Sequence, residues 1–531
     1  MTGFQSPRNV GPNHDRGGLY PVEINFPADY NAASLLFDNI TAGRSGRIAI
    51  RSDLGDMTYG ALAAEACRYR NALASLGLDR GDRVLLFMDD TPAYAAAFFG
   101  ALAGGLVPML INTLSPAELI RFFFEDSDAR AAIVDHAFVE AFDPGLCETI
   151  IVVNGPAPDG MKGPDWIACF PDEAAIAPVG PDAMAFWMYS SGSTGRPKGV
   201  VHNHRDIAYT IEGYSAPVLG LTEADCCFSV PKIFFAYGFG NSISFPFAAG
   251  ASALLLSGRP TPERIFEQIA RHRPTVLFGL PTLYTAMIKD AASEAADLAS
   301  VRLCISAAEI LSEDVFETWR RRFGHRIVEG LGSTEVLHIY LTNWPEKQKL
   351  GSAGQCAPGY EVKLTDRDGK PVADGEEGIM WVKGGSNALT YWNRPDKTAE
   401  TMRDGWIWTG DRFTRDADGF YFFRGRADDL VKISGQWVYP LEIELTLAEH
   451  PKVRECAVLA LQMADRRMTL KAWVVTESGG EPGVALTAEL QGWVKQALLP
   501  YKYPRIVEYV DVLPKTGTDK IDRQALKARG L

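Results

Sequence analysis

Short, uniformly apolar runs alternate with helix-like segments along most of this chain, and that alternation constrains the fold most. Arg83–Met88, Ala131–Val134, Thr149–Val153, Ala253–Leu256 and Thr275–Phe278 read as strands. Segments such as Pro262–Arg271 and Glu313–Arg322 read as helices between them. A strand apolar at every position must be covered on both faces, and a parallel sheet flanked by helices does this. The predicted class is therefore α/β with largely parallel sheets.

Thr91–Ala117 carries no charge. Its length would span a bilayer. Gly104, Gly105, Pro108, Asn112 and Pro116 interrupt it, however. A core helix over Ala95–Ala103 followed by a buried strand over Met109–Ile111 is the better reading, and no membrane association is expected. Met1–Tyr20 has no apolar stretch of the kind a signal peptide needs.

Beyond about residue 350 the texture changes. Glu361–Thr365 and Gly378–Lys383 alternate in polarity, and Asp366–Gly369 and Asp416–Gly419 read as turns, the second leading into Phe420–Phe423. These hairpin signatures predict a β-rich module over about 350–427 within an N-terminal domain of residues 1–427. Helix-like Pro440–Glu449 and Leu486–Leu499, with strand-like Glu455–Leu461 and Leu470–Val475, predict a small α+β C-terminal domain over 428–531.

Lysine and arginine number 53 against 66 acidic residues, a net charge of −13, and no basic stripe is interleaved with aromatics. No nucleic-acid partner is expected. The eight cysteines form no CxxC pair. Neither a zinc knuckle nor a redox dithiol is indicated, and reduced thiols in a cytoplasmic protein are expected.

The densest chemistry lies in Tyr189–Gly199, which holds three glycines, four Ser or Thr hydroxyls, Arg196 and Lys198. Glycine lets backbone N–H groups approach an oxyanion closely. The hydroxyls add neutral donors and Lys198 adds charge, a combination suited to a polyphosphate. The apolar run Met184–Met188 precedes it, so the loop should cap a strand. It fits neither the G-x-x-x-x-G-K-[ST] phosphate loop nor the G-x-S-x-G nucleophile elbow.

Tyr189–Gly199 resembles the signature of the adenylate-forming enzymes, which include acyl- and aryl-CoA synthetases, adenylation domains of peptide synthetases and firefly luciferase. Gly330–Glu335, Gly405–Asp411, Arg424–Gly435 and Leu513–Arg523 resemble that family's further motifs, in order. The resemblance implies two half-reactions: a carboxylate attacks the α-phosphorus of ATP, then the thiol of coenzyme A displaces AMP. No protein nucleophile is needed, so catalysis would rest on positioning and charge.

On this resemblance Thr194 and Lys198 hold phosphates, while Ser190, Ser191, Gly192, Ser193 and Gly195 shape the loop. Thr334 bonds the α-phosphate and Glu335 binds Mg²⁺, for which a carboxylate is apt. Asp411 and Arg426 meet the ribose. Ser306, Ala307, Ala308, Glu309, Glu329, Gly330, Leu331, Gly332, Ser333 and Phe423 complete the nucleotide site. Lys520 is the C-terminal catalytic lysine and Asp428 the hinge of a mobile C-terminal domain. Lys432, Ser434, Gly435 and Trp437 face coenzyme A. Two departures stand out. Asp519 replaces the glycine usual before the lysine. Ala308 replaces a frequent glycine, so its backbone must be one that a residue with a Cβ allows.

Within the family, Ala236, Tyr237 and Gly238, with His338 and Ile339, resemble the pocket wall of benzoate– and hydroxybenzoate–CoA ligases. Phe234 and Phe235 read as plain core. Phe87–Asp90, Lys432–Val438 and Tyr501–Arg505 resemble the same subfamily. Gly279 and Gly332 join the expected acid pocket. An aromatic-walled pocket suits a flat ring better than an alkyl chain. His338 either bonds a ring substituent or lines the pocket. The expected partners are an aromatic carboxylic acid and coenzyme A, and the resemblance leaves a homodimer open. Alternatives are a stand-alone adenylation enzyme that loads a carrier protein, another acyl-CoA synthetase, and a non-catalytic relative.

Overall fold

The computed structural model describes residues 22–190, 196–309, 311–427, 431–433, 436–463, 467–477, 480–499, 501–515 and 521–530. The chain divides into two compact units. The first comprises residues up to Lys363 with Trp381–Trp408 and Asp418–Tyr421. The second comprises Leu364–Met380, Thr409–Ala417 and the chain from Phe422.

The α/β reading holds. The first unit contains a seven-stranded sheet in the spatial order Thr390–Tyr391, Lys198–Asn203, Met184–Ser190, Val107–Leu110, Arg83–Phe87, Ala131–Asp135, Thr149–Val153. The last five strands run parallel, and the first two add antiparallel. Leu85, Phe87, Ala132, Val134 and Trp187 are buried against one side-chain cluster, and Val84, Leu86, Ala131, Ile133 and Phe186 against another. Apolar side chains on alternate positions thus fill both faces, which is why these strands read as continuous apolar runs.

The uncharged stretch resolves as the sequence suggests. A helix spans Pro92–Ala103, with Pro92 at its first turn and every residue from Tyr94 to Ala103 buried. Val107–Leu110 follows as an interior strand of the sheet. Gly100 is required where this helix meets helix Tyr59–Ala74, since a Cβ there would lie 2.6 Å from Tyr69 Cβ and 2.7 Å from the Ala66 carbonyl oxygen. Among the described residues no helix is long and apolar enough to cross a membrane.

A nine-stranded sheet runs in the order Gln355–Cys356, Ile339–Thr342, Ile327–Gly332, Leu303–Ser306, Val276–Gly279, Cys226–Ser229, Ser252–Leu255, Ile48–Ser52, Met57–Thr58. Its interior is parallel and its two edges turn antiparallel. Ile327–Gly332, Leu303–Ser306, Val276–Gly279 and Cys226–Ser229 therefore end on the same edge. Loops at the carboxyl ends of parallel strands are where open α/β sheets place ligands.

The β-rich stretch forms a five-stranded sheet from Glu361–Thr365, Glu377–Lys383, Met402–Arg403, Trp406–Arg415 and Tyr421–Arg426. In the second unit, Val453–Gln462, Met468–Thr476 and Ile506–Tyr509 make a three-stranded sheet. Side chains from helices Pro440–Ala448 and Val484–Ala497, including Ile443, Leu447, Leu490 and Val494, join Val458, Leu470 and Val474 in its core. All eight cysteines are free thiols.

Candidate functional site

The phosphate-loop expectation falls on a hairpin. Met184–Ser190 pairs antiparallel with Lys198–Asn203, and Ser190 stands opposite Lys198. Ser191, Gly192, Ser193, Thr194 and Gly195, which join them, lie outside the described residues. The hairpin is anchored at its base. Tyr189 donates its hydroxyl to Asp126 Oδ2 at 3.0 Å, and Arg394 holds Asp126 Oδ1 at 3.0 Å. Trp392 Nε1 donates to the Asp126 carbonyl at 2.9 Å. Burial and the neighbouring carboxylate push the Tyr189 hydroxyl well above its ordinary value, so it stays a donor.

The second motif follows strand Ile327–Gly332. Thr334–Val336 form a single tight helical turn. A fully buried pair fixes it: His202 Nε2 lies 2.8 Å from the Thr334 carbonyl oxygen and His202 Nδ1 lies 2.9 Å from Asp206 Oδ2. Asp206 also accepts from the Asn203 backbone N–H at 3.0 Å, so it holds the histidine and the start of helix His204–Thr210 together. Glu335, half-buried, accepts the Tyr391 hydroxyl on Oε1 at 2.8 Å, and its carbonyl accepts the Ala388 N–H at 2.8 Å. The Lys198 ammonium sits 4.2 Å from the centroid of the same Tyr391 ring.

The expected nucleotide shelf lies at the adjacent strand ends. Ser306 closes strand Leu303–Ser306 and is fully buried. Its hydroxyl and that of Ser333 have no partner among the described residues. Ala307 is buried, and Glu309 accepts the Thr282 N–H at 3.3 Å. Ala308 departs from the conformation expected of a residue with a Cβ. It takes φ +72°, the left-handed region that glycine favours. The glycine-type backbone is kept although the side chain has changed. Glu329 accepts the Leu311 N–H at 3.2 Å, and burial pushes its carboxyl up to about 8. It borders a cavity of about 210 Å³ that Leu311, Phe316, Arg326 and Asn343 also line. Gly330 packs against Ile339, since a Cβ on it would lie 3.0 Å from Ile339 Cδ1. Leu331 follows in the same strand, opposite Leu341, and is half-buried.

Ala236, Tyr237 and Gly238 form the helical turn Ala236–Phe239. Gly238 is obligatory there, because a Cβ would lie 2.0 Å from the Lys232 carbonyl oxygen. Lys232 donates to Asp89 Oδ1 at 2.7 Å, and Asp90 accepts the Ile233 N–H at 3.1 Å. The segment Phe87–Asp90 thus anchors the loop that carries Ala236, and burial lifts the Asp90 carboxyl to about 7. The His338 ring packs 5.6 Å from Tyr237, 5.3 Å from Tyr214 and 4.5 Å from Phe245, centroid to centroid. Burial drives its pKa down to about 3, so the ring is neutral. Its Nε2 lies 3.3 Å from the Tyr237 carbonyl, which makes Nε2–H the donor and leaves Nδ1 an acceptor without a partner among the described residues. Tyr237 also meets Phe278 edge-on at 6.3 Å, beside Gly279 at the end of its strand. Gly332 joins the two sites, since a Cβ on it would lie 2.5 Å from the His338 carbonyl oxygen.

In the second unit Arg426 Nη1 donates to Asp411 Oδ1 at 3.1 Å and to the Thr409 carbonyl at 3.3 Å. Phe423 packs against Phe413 at 5.3 Å. Lys432 and Trp437 are register partners across the two-stranded ribbon of Val431–Ile433 and Gln436–Val438. Asp428, Ser434, Gly435, Asp519 and Lys520 lie outside the described residues.

Sequence reasoning missed Tyr391, His202 and Asp126. The adjacent aromatics Tyr391 and Trp392, just before the Pro395 helix start, were the available signal for one of them. His202 and Asp126 carried none, because the contacts that tie them to the site, with the Thr334 carbonyl and with Trp392 Nε1, reach 132 and 266 residues along the chain. Among the described residues no group of three or more His, Cys, Asp or Glu could hold a metal ion.

Lys198 and Glu335 thus meet at Tyr391, and Gly332 ties the Thr334–Glu335 turn to the packed rings around His338. Residues 37–392 match the AMP-binding enzyme family and residues 442–520 match the AMP-binding enzyme C-terminal domain. The chain belongs to this family. It is 41% identical over 516 residues to the benzoate–CoA ligase of Thauera aromatica, covering 96% of this chain and 98% of that protein. It is 41% identical over 509 residues to the 4-hydroxybenzoate–CoA/benzoate–CoA ligase of Rhodopseudomonas palustris, covering 94% of each. Its fold superposes on a benzoate CoA ligase from Burkholderia xenovorans with a TM-score of 0.86 at 39% identity, covering 94% of this chain and 100% of that one.

Proposed function

We propose that this protein is an ATP-dependent aryl-acid–CoA ligase that activates benzoate or a hydroxybenzoate and releases AMP and pyrophosphate. The observation that carries the reading is Gly332. It ends the strand leading into Thr334 and Glu335, and a Cβ on it would lie 2.5 Å from the carbonyl oxygen of His338, whose ring packs against Tyr237. A ring held against Tyr237 and His338 therefore has its carboxylate beside the phosphate-binding turn.

In the first half-reaction an oxygen of the acid attacks the α-phosphorus, and the bond to pyrophosphate breaks. In the second, the thiol sulfur attacks the acyl carbon, the bond to the phosphate oxygen breaks, and AMP leaves. Thr194, Lys198 and the backbone from Ser190 to Gly195 cradle the phosphates. Thr334 holds the α-phosphate, and Asp411 with Arg426 holds the ribose. Lys520 meets the carboxylate and α-phosphate. Asp428 is the hinge on which residues 428–531 turn, bringing Lys432, Ser434, Gly435 and Trp437 to coenzyme A. Proximity and charge would supply the rate.

Glu335 fits a Mg²⁺ site of the hard-oxygen kind. It is a single half-buried carboxylate with one oxygen fixed by Tyr391, so phosphate and water oxygens would complete the shell. When bound, the cation would neutralise charge on the phosphates. A cytoplasmic location is part of this proposal.

The test is exchange of labelled pyrophosphate into ATP without coenzyme A. Exchange that needs benzoate or a hydroxybenzoate is expected. Exchange with an alkanoic acid only would contradict the acid class.

A further inference from the structure

We propose that Tyr391 is a positioning residue that sets both the carboxylate of Glu335 and the ammonium of Lys198, coupling the cation site to the phosphate-binding lysine. The inference rests on the adenylate-forming reading above but assigns a role to a residue outside the motifs that led to it.

Strand pairing puts the ring where it can do this. Tyr391 stands opposite Val200 in an antiparallel pair, so its side chain shares a face with Val200 and, diagonally, with Lys198. Diagonal neighbours lie within reach of an aromatic ring and a long side chain. The Lys198 ammonium uses that reach, 4.2 Å from the ring centroid. The hydroxyl of the same ring donates to Glu335 Oε1 at 2.8 Å.

Tyr391 is itself fixed. It is 2% exposed, packs with Val200 and Ala388, and donates its backbone N–H to Thr398 Oγ1 at 3.0 Å. The chain just before it is tied to the same glutamate, since Ala388 N–H donates to the Glu335 carbonyl at 2.8 Å. One rigid side chain therefore touches residues 137 positions apart, Lys198 and Glu335. A hydroxyl that occupies one carboxylate oxygen orients the other, and such partners typically control cation affinity. A ring face that seats an ammonium pre-organises it without neutralising it.

The two contacts are separable. Tyr391→Phe removes the hydroxyl and keeps the ring, whereas Tyr391→Leu removes both. Two binding measurements need no turnover. One is Mn²⁺ binding to the protein with a non-hydrolysable ATP analogue, read by electron paramagnetic resonance. The other is binding of that analogue in EDTA. Tyr391→Phe is expected to weaken Mn²⁺ binding about tenfold and to leave cation-free analogue binding within about twofold. Tyr391→Leu is expected to weaken cation-free binding about fivefold as well. Unchanged Mn²⁺ binding in a folded Tyr391→Phe protein overturns the proposal, as does identical behaviour of the two variants. If the variants behave as stated while the wild type adenylates no aromatic acid, the acid class fails and the role of Tyr391 stands.

Discussion

Ala308 carries a Cβ at φ +72°, a conformation that costs an ordinary L-residue roughly 1–2 kcal/mol. Ala308→Gly should therefore raise the stability of the protein by about 1 kcal/mol, seen as a higher urea midpoint at unchanged slope. An unchanged or lower midpoint would show that the strain is absent or offset. Glu329 gives a pH signature. Its carboxyl rises from 4.5 to about 8 on folding because it is desolvated. The fold then binds the proton more tightly than the unfolded chain. The associated stability is full below about 4.5 and is lost as pH rises toward 8. Glu329→Gln should lose less stability than the wild type between about pH 5 and about pH 8. Parallel declines in urea midpoint would contradict this. The sequence showed both departures and motif identities here, but not φ at Ala308 or the burial of Glu329. The burial of Glu329 depends on Leu311 and the neighbouring strands, which no local pattern encodes.

At the scale of elements, legibility followed burial chemistry. Arg83–Phe87, Ala131–Asp135 and Thr149–Val153 are apolar on both faces because both faces are covered, and the sequence shows that directly. Lys198–Asn203 gave no such signal. Lys198, His202 and Asn203 are polar, yet five of that strand's six residues are buried. His202 is satisfied by Asp206 and by the Thr334 carbonyl, so its polarity belongs to the site. Tertiary pairing rather than propensity made that strand. The helix Pro92–Ala103 was legible over Ala95–Ala103 because glycines follow its end, while the first turn from Pro92 was not read. It is a packing hub: Phe98 meets Phe99, Phe186 and Phe239 at 5.1–5.8 Å. Phe98→Ala should destabilise the fold by about 3–5 kcal/mol. A loss below about 1 kcal/mol in a denaturant titration would mean that the neighbours collapse into the cavity.

For the whole molecule, the two proposed half-reactions assign different work to different parts of the chain. On the proposed reading Lys520 serves adenylation only, so Lys520→Ala should reduce acid-dependent pyrophosphate release by about a hundredfold or more. Conversion of supplied benzoyl-adenylate to thioester should be nearly unchanged. Equal loss of both steps would refute the assignment. The α/β class and the alternation of its apolar strands with helices were readable from periodicity alone. The meeting of Gly332 with His338, and of Tyr391 with both Lys198 and Glu335, was not, because each depends on which strand ends share an edge.

The most direct test of the central claim supplies purified protein, ATP, Mg²⁺ and coenzyme A with one acid at a time, following AMP and thioester separately. The acids are benzoate, the three hydroxybenzoates, 2-aminobenzoate, cyclohexanecarboxylate, a cinnamate and a medium-chain fatty acid. The expected result is AMP and thioester in equal amounts from benzoate or a hydroxybenzoate. AMP without thioester, or thioester from the fatty acid alone, would contradict an aryl-acid–CoA ligase.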